Sequence, residues 1–155
     1  MTTVTAPPPQ AALVAQAADL MYKLHTEAKA IIRQHPELDS RARRAIAIVA
    51  RGDVAFDARW LHIPDQGLGG SYVLQVARVK ATHSKSLEAY TITRHCYADD
   101  WVEYGCNCPD ATGTHADGHW VRGQAPYIPE PGCGSMCKHV IAYQLACAAS
   151  ERRSS

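Results

Sequence analysis

Cys106-Asn107-Cys108-Pro109 and Cys137-Lys138-His139-Val140-Ile141-Ala142 are the two stretches that decide the fold of this chain. Each carries two metal-ligand side chains one residue apart, and the 28 residues 109–136 lie between them. Thiolate and imidazole are the donors that Zn2+ takes in a tetrahedron, and a site closed by four such donors is structural. The predicted quartet is Cys106, Cys108, Cys137 and His139. Cys133 stands four residues before Cys137 and is by spacing an alternative member. A metal held this way fixes the end of a strand against the start of a helix and closes the long loop between them. Zinc binding contributes about 10–16 kcal/mol in small fingers, so the local fold is expected to depend on it.

Outward from the first pair, towards the N-terminus, four segments are rich in β-branched and aromatic residues: 56–63, 72–79, 87–96 and 101–106. Turn-forming stretches at 64–70, 82–86 and 98–100 separate them, which favours an antiparallel meander. Outward from the second pair, residues 138–149 read as a helix, with Val140, Ile141, Leu145 and Ala148 as core candidates. Between the pairs, Gly, Pro, Asp and His dissolve the pattern; only 119–122 suggests a short strand. A loop of that length is uncommon in a compact domain unless something supports it. His115 and His119 are four apart, but Gly113 and Gly118 disfavour a helix there. They read as surface histidines, with a second metal site as the alternative. Trp120, Tyr127 and Ile128 either cover the zinc site or present a recognition surface.

Further upstream the period changes to that of helices. Leu13, Ala17, Leu20, Met21, Leu24, Ala28, Ile31 and Ile32 form one apolar stripe over 11–34, ended by His35-Pro36. A second helix over about 37–51 carries Leu38, Ala42, Ala45, Ile46 and Val49 on one face, with Gly52 just past its end. The predicted class is α+β. Its parts are a disordered tail at 1–10, a helical hairpin at 11–52, a β-meander with the metal-bound helix at 53–150, and a tail at 151–155.

The composition is that of a globular protein, 46% hydrophobic and 20% charged. No apolar run reaches the roughly 20 residues of a membrane span, and residues 1–10 lack the basic and apolar blocks of a secretory signal. The expected location is the cytoplasm, where six cysteines favour metal over disulfides. The net charge is only +1, but residues 1–52 hold seven basic against four acidic side chains. Any polyanion-facing surface is therefore expected on the N-terminal helices, where Arg41, Arg43, Arg44 and Arg51 are the nucleic-acid-binding candidates. A solvated helix face is the plainer reading of the same arginines.

The order CxC, variable spacer, CxH resembles the SWIM zinc-finger family. Pro109 after the second cysteine, Lys138 within the second pair, the preceding strands and the apolar helix after His139 agree with it. Asp110 departs from it, standing where the family favours a bulky residue nearby. The resemblance covers about 54–150 and leaves the N-terminal helices outside. It implies a ββα-like finger with zinc on Cys106, Cys108, Cys137 and His139. It also implies a non-catalytic binding module in DNA transactions that contacts nucleic acid. The alternative is a protein–protein adaptor or accessory factor, working with a protein partner or a second copy of the chain. Neither reading requires a membrane or a small-molecule substrate, and a closed quartet leaves no position for catalysis.

Overall fold

The computed structural model of the protein describes residues 10–63, 72–81, 84, 87–114, 118 and 123–151. The tail at 1–9, the turn at 64–70, most of 82–86, His115, His119, Trp120, the short strand predicted at 119–122 and residues 152–155 lie outside them.

The architecture is mixed helix and sheet. Helix α1, Gln10–Gln34, runs along the predicted stripe. Leu24 and Ala28 are buried, and Leu20, Met21, Ile31 and Ile32 pack partly against the same core. The chain leaves α1 at His35, whose φ of −133° and ψ of 79° are the extended geometry imposed by the following proline. The second helix does not begin in one piece. Pro36–Leu38 form a tighter 3-10 turn, and α2 follows at Asp39–Ala50. Gly52, at φ +74°, ends it in a Schellman arrangement: Gly52 N–H donates to Val49 O at 2.9 Å and Asp53 N–H to Ile48 O at 3.2 Å.

Four strands follow as the predicted meander: β1 Val54–Ile63, β2 Tyr72–Lys80, β3 Ala89–Tyr97 and β4 Val102–Cys106. Each pairs antiparallel with the next. The alternation of a half-buried sheet is clear on β2, where Ala77 and Val79 are buried while Arg78 and Lys80 are exposed, and Tyr90 and Ile92 point inward from β3. After β4 come the short helix α3, Pro109–Thr112, and two short strands, β5 Tyr127–Ile128 and β6 Cys133–Ser135. The sheet order is β1-β2-β3-β4-β6-β5, with β6 parallel to β4 and antiparallel to β5. The sequence pattern had shown no strand at either place. Gly134 explains the close approach: its φ is +117°, and a Cβ there would run into the backbone of Tyr104.

Helix α4, Lys138–Glu151, is the centre of the molecule. It touches β1 to β4 and also α1 and α2. His139, Val140, Ile141, Ala142, Tyr143, Leu145, Ala146 and Ala149 are all buried, which few helices of this length achieve without being enclosed on most sides. Each large apolar side chain buried there is worth about 1.5–3 kcal/mol. One buried cluster joins the hairpin residues Leu24, Leu38 and Ala42 to the sheet residues Val79 and Ile92 through α4. Among the described residues, no helix is long and apolar enough to cross a membrane.

Candidate metal centre

The first ligand pair sits where β4 runs out. Cys106 is the last residue of β4 and stands opposite Ile92 of β3. Asn107 prolongs the pairing by one residue: its N–H donates to Thr91 O at 3.3 Å, and its Oδ1 accepts from Thr91 N–H at 2.8 Å. Cys108, extended at φ −70° and ψ 155°, is the N-cap of α3 and accepts from Ala111 N–H through Sγ at 3.4 Å. Pro109 takes the first helical position, where its missing N–H is no loss, and Gly113 closes the turn at φ +81°.

The second pair repeats this device on α4. Cys137 O accepts from Ile141 N–H at 3.1 Å, and its Sγ accepts from Val140 N–H at 3.5 Å. Cys137 thus caps α4 as Cys108 caps α3. His139, on the first turn of α4, directs Nδ1 towards Cys137 Sγ at 3.9 Å. The imidazole is 6% exposed, with the Tyr90 ring centred 4.8 Å away.

One ligand atom from each of Cys106, Cys108, Cys137 and His139 lies within 4.8 Å of all the others. Metal–sulfur bonds of about 2.3 Å give a tetrahedron with sulfur–sulfur edges of about 3.8 Å, so the four fit a metal ion with small adjustments. Their electrostatics suit one as well. Hydrogen bonds from the Cys106 and Cys137 thiols hold Cys108 far below the usual thiol range, and sharing with Cys108 pushes Cys106 far above it. For Cys137, hydrogen bonding with Cys106 favours the thiolate, but hydrogen bonding with Cys108 and burial outweigh it and push the thiol up to about 12. Two of the three crowded sulfurs, Cys106 and Cys137, therefore keep protons that a dication would displace. With all three ionised and a dication bound, the site carries a charge of −1.

Arg41 lies close enough to act on that charge, and its position corrects the sequence reading. It is not on a solvated face. Its Nε donates to Asp110 Oδ2 at 3.2 Å and its terminal nitrogen to Asp110 Oδ1 at 3.0 Å, with a further bond to Gly123 O at 2.6 Å. Both side chains of the pair are mostly buried. The guanidinium is held above its usual pKa first by the Asp110 hydrogen bonds, against burial, and further by the charges of Asp110, Cys137 and Cys108. Asp110, two residues after Cys108, thus fastens α3 to α2. The two are 69 positions apart, and no local signal announces the pair. The other candidate arginines are exposed: Arg43 pairs with Asp39 at 3.0 Å and Arg51 with Asp53 at 2.9 Å, while Arg44 has no ion-pair partner among the described residues.

Cys133 falls outside the quartet and groups with His35 and Glu130. Ile128 is buried and Tyr127 is 59% exposed. No family model, no curated protein and no solved structure matches this chain.

Proposed function

We propose that the protein is a zinc-stabilised, non-catalytic binding module of SWIM type, with a ββα-like finger made of β3, β4 and α4, acting in DNA transactions in the reducing setting of the cytoplasm. The clustered quartet of Cys106, Cys108, Cys137 and His139, the last three of them buried, is the observation that carries this reading. Three thiolates and an imidazole are a donor set that selects zinc, and four protein ligands leave no coordination position for a substrate. The ligands are set by a strand end and two helix caps, an arrangement suited to holding a scaffold rather than to turnover.

Nucleic acid is the first partner class. Arg43, Arg44 and Arg51 are exposed on or next to α2. The Arg43–Asp39 pair is of the exposed surface kind, worth about 0–1 kcal/mol, and yields readily to a phosphate, whereas Arg51 pairs with the mostly buried Asp53. Arg41 is committed to Asp110 and drops out of the phosphate-contacting set. The test is titration of labelled single- and double-stranded DNA at two salt concentrations with the wild type and an Arg43→Ala, Arg44→Ala, Arg51→Ala variant. The variant should keep its zinc, bind more weakly whatever the sequence, and show a salt dependence shallower by about one unit per lost contact. Equal affinity and equal slope in the two proteins would sink the phosphate assignment.

One observation favours the second reading, a protein–protein adaptor. Val14 and Tyr22 stand 64% and 73% exposed on α1, outside the core that Leu24 and Ala28 of that helix join. Absence of DNA binding by the wild type even at low salt would make a protein partner on α1 the leading assignment.

A further inference from the structure

We infer that Cys133, Glu130 and His35 form a second cation site, which takes a borderline divalent ion such as Zn2+ through a thiolate, a carboxylate and an imidazole and leaves a fourth position open. None of these residues belongs to the quartet, and their ligand atoms also lie within 4.8 Å of one another.

The placement follows from two local rules. Glu130-Pro131-Gly132-Cys133 is a tight turn in which Cys133 N–H donates to Glu130 O at 3.0 Å. Proline at its second position and glycine at its third, with φ +81°, are what a type II turn demands. That turn sets the Glu130 and Cys133 side chains near each other. It is anchored from both sides: Gly132 N–H donates to Val102 O at 2.7 Å, and Gln144 of α4 donates through Nε2 to Gly132 O at 2.8 Å. The third ligand arrives from the α1–α2 junction, where Pro36 forces His35 out of the helix.

The distance from the imidazole to the carboxylate is one that a coordination sphere accommodates. Nε2 of His35 stands 3.4 Å from Glu130 Oε2. That exceeds the usual hydrogen-bond length of about 2.9–3.0 Å. It equals the nitrogen–oxygen edge, about 3.4 Å, of a tetrahedron with metal–ligand bonds of about 2.0–2.2 Å. The opposite ring nitrogen, Nδ1, faces Glu37 Oε1 at 3.8 Å. At that distance the carboxylate makes no hydrogen bond and adds only its charge behind the ring. The site lies at a cavity of about 260 Å³, which Gln34, Met136 and Gln144 also line. The side chains of His35 and Glu130 are 14% and 58% exposed, so the ion would sit at a boundary, open to water on the Glu130 side.

The experiment loads the full chain with its first equivalent of zinc, adds cobalt(II), and counts metals by native mass spectrometry while following the thiolate-to-cobalt absorption. The wild type should take a second ion. Cys133→Ser and His35→Asn should lose it and keep the first. Glu130→Gln changes an exposed side chain and leaves the fold intact; it should also weaken the second ion. A wild type that takes up no second ion in excess cobalt overturns the site. So does unchanged second-ion affinity in Glu130→Gln or Cys133→Ser.

Discussion

The protein holds two groups of metal-ligand side chains that share one stretch of chain and differ in almost everything else. The quartet lies at the two ends of segment 109–136 and is nearly sealed, with Cys108, Cys137 and His139 buried and both helix-capping sulfurs fixed by backbone N–H groups. The trio takes Glu130 and Cys133 from near the end of that segment and His35 from the α1–α2 junction, and opens to solvent through Glu130. Four donors in a closed shell make an ion part of the scaffold, whereas three donors at a surface make an ion that can exchange. The segment is thus closed at its ends by one group and tied near Cys133 to the α1–α2 junction by the other.

The quartet side of this contrast predicts the largest effect. Cys106→Ser and His139→Ala should each release the tightly bound metal and loosen the segment between the two pairs. Zinc binding worth about 10–16 kcal/mol in small fingers stands against a net domain stability of about 5–15 kcal/mol. Metal analysis together with amide exchange would show the loss concentrated in 106–137. A folded, fully protected Cys106→Ser protein without metal would remove the distinction between the groups. Gly134→Ala comes next, because β6 carries Cys133 at one end and leads to Cys137 at the other. The new Cβ meets the Tyr104 backbone at a φ of +117°, so a loss of about 3 kcal/mol is expected in urea unfolding.

Arg41→Ala should follow, costing about 2 kcal/mol because it strands the half-buried Asp110 carboxylate beside a metal ligand. Asp110→Asn should lose less, since the amide keeps one acceptor for the guanidinium. Both variants should bind the first metal more weakly, read by competition with a chelator; unchanged metal affinity would confine Arg41 to packing. Cys133→Ser is the smallest of the series. It should keep the metal held by the quartet and lower the unfolding free energy by no more than about 1 kcal/mol. Release of that metal by Cys133→Ser would merge the two groups into one.

The long elements were legible in the sequence because each spans enough residues to show its period. The stripe ending at His35-Pro36 placed α1 within one residue of its observed bounds, Gln10–Gln34, and the helix expected from 138 begins at Lys138 and runs on to Glu151. The four meander strands were each placed within about two residues of their observed ends. The pairing of CxC with CxH was legible for a different reason: ligand chemistry restricts which residues can meet. What stayed hidden has no local period. Strands β5 and β6 are two and three residues long, too short for alternation to register, and β6 finds β4 only through a parallel long-range contact. Arg41 meets Asp110, and His35 meets Cys133, only after the helical hairpin has packed against the loop. The Pro131-Gly132 turn lies where the sequence pattern dissolves, and nothing near it names His35 as the third member of the group.

The central place of α4 has a consequence for how the chain is made. Every element that α4 touches precedes it in the chain, and the 31 residues 107–137 separate it from the end of β4. At about 5–20 residues per second, a ribosome delivers α1, α2 and the whole meander about 2–6 seconds before α4 begins to appear. Through that interval Leu24, Leu38, Val79 and Ile92, all buried in the finished molecule, have no helix to cover them. The second ligand pair emerges only as α4 starts, so metal capture cannot come early and rescue the half-made sheet. A nascent chain paused between Cys106 and Cys137 therefore exposes apolar surface that the finished molecule covers, and aggregation is its hazard.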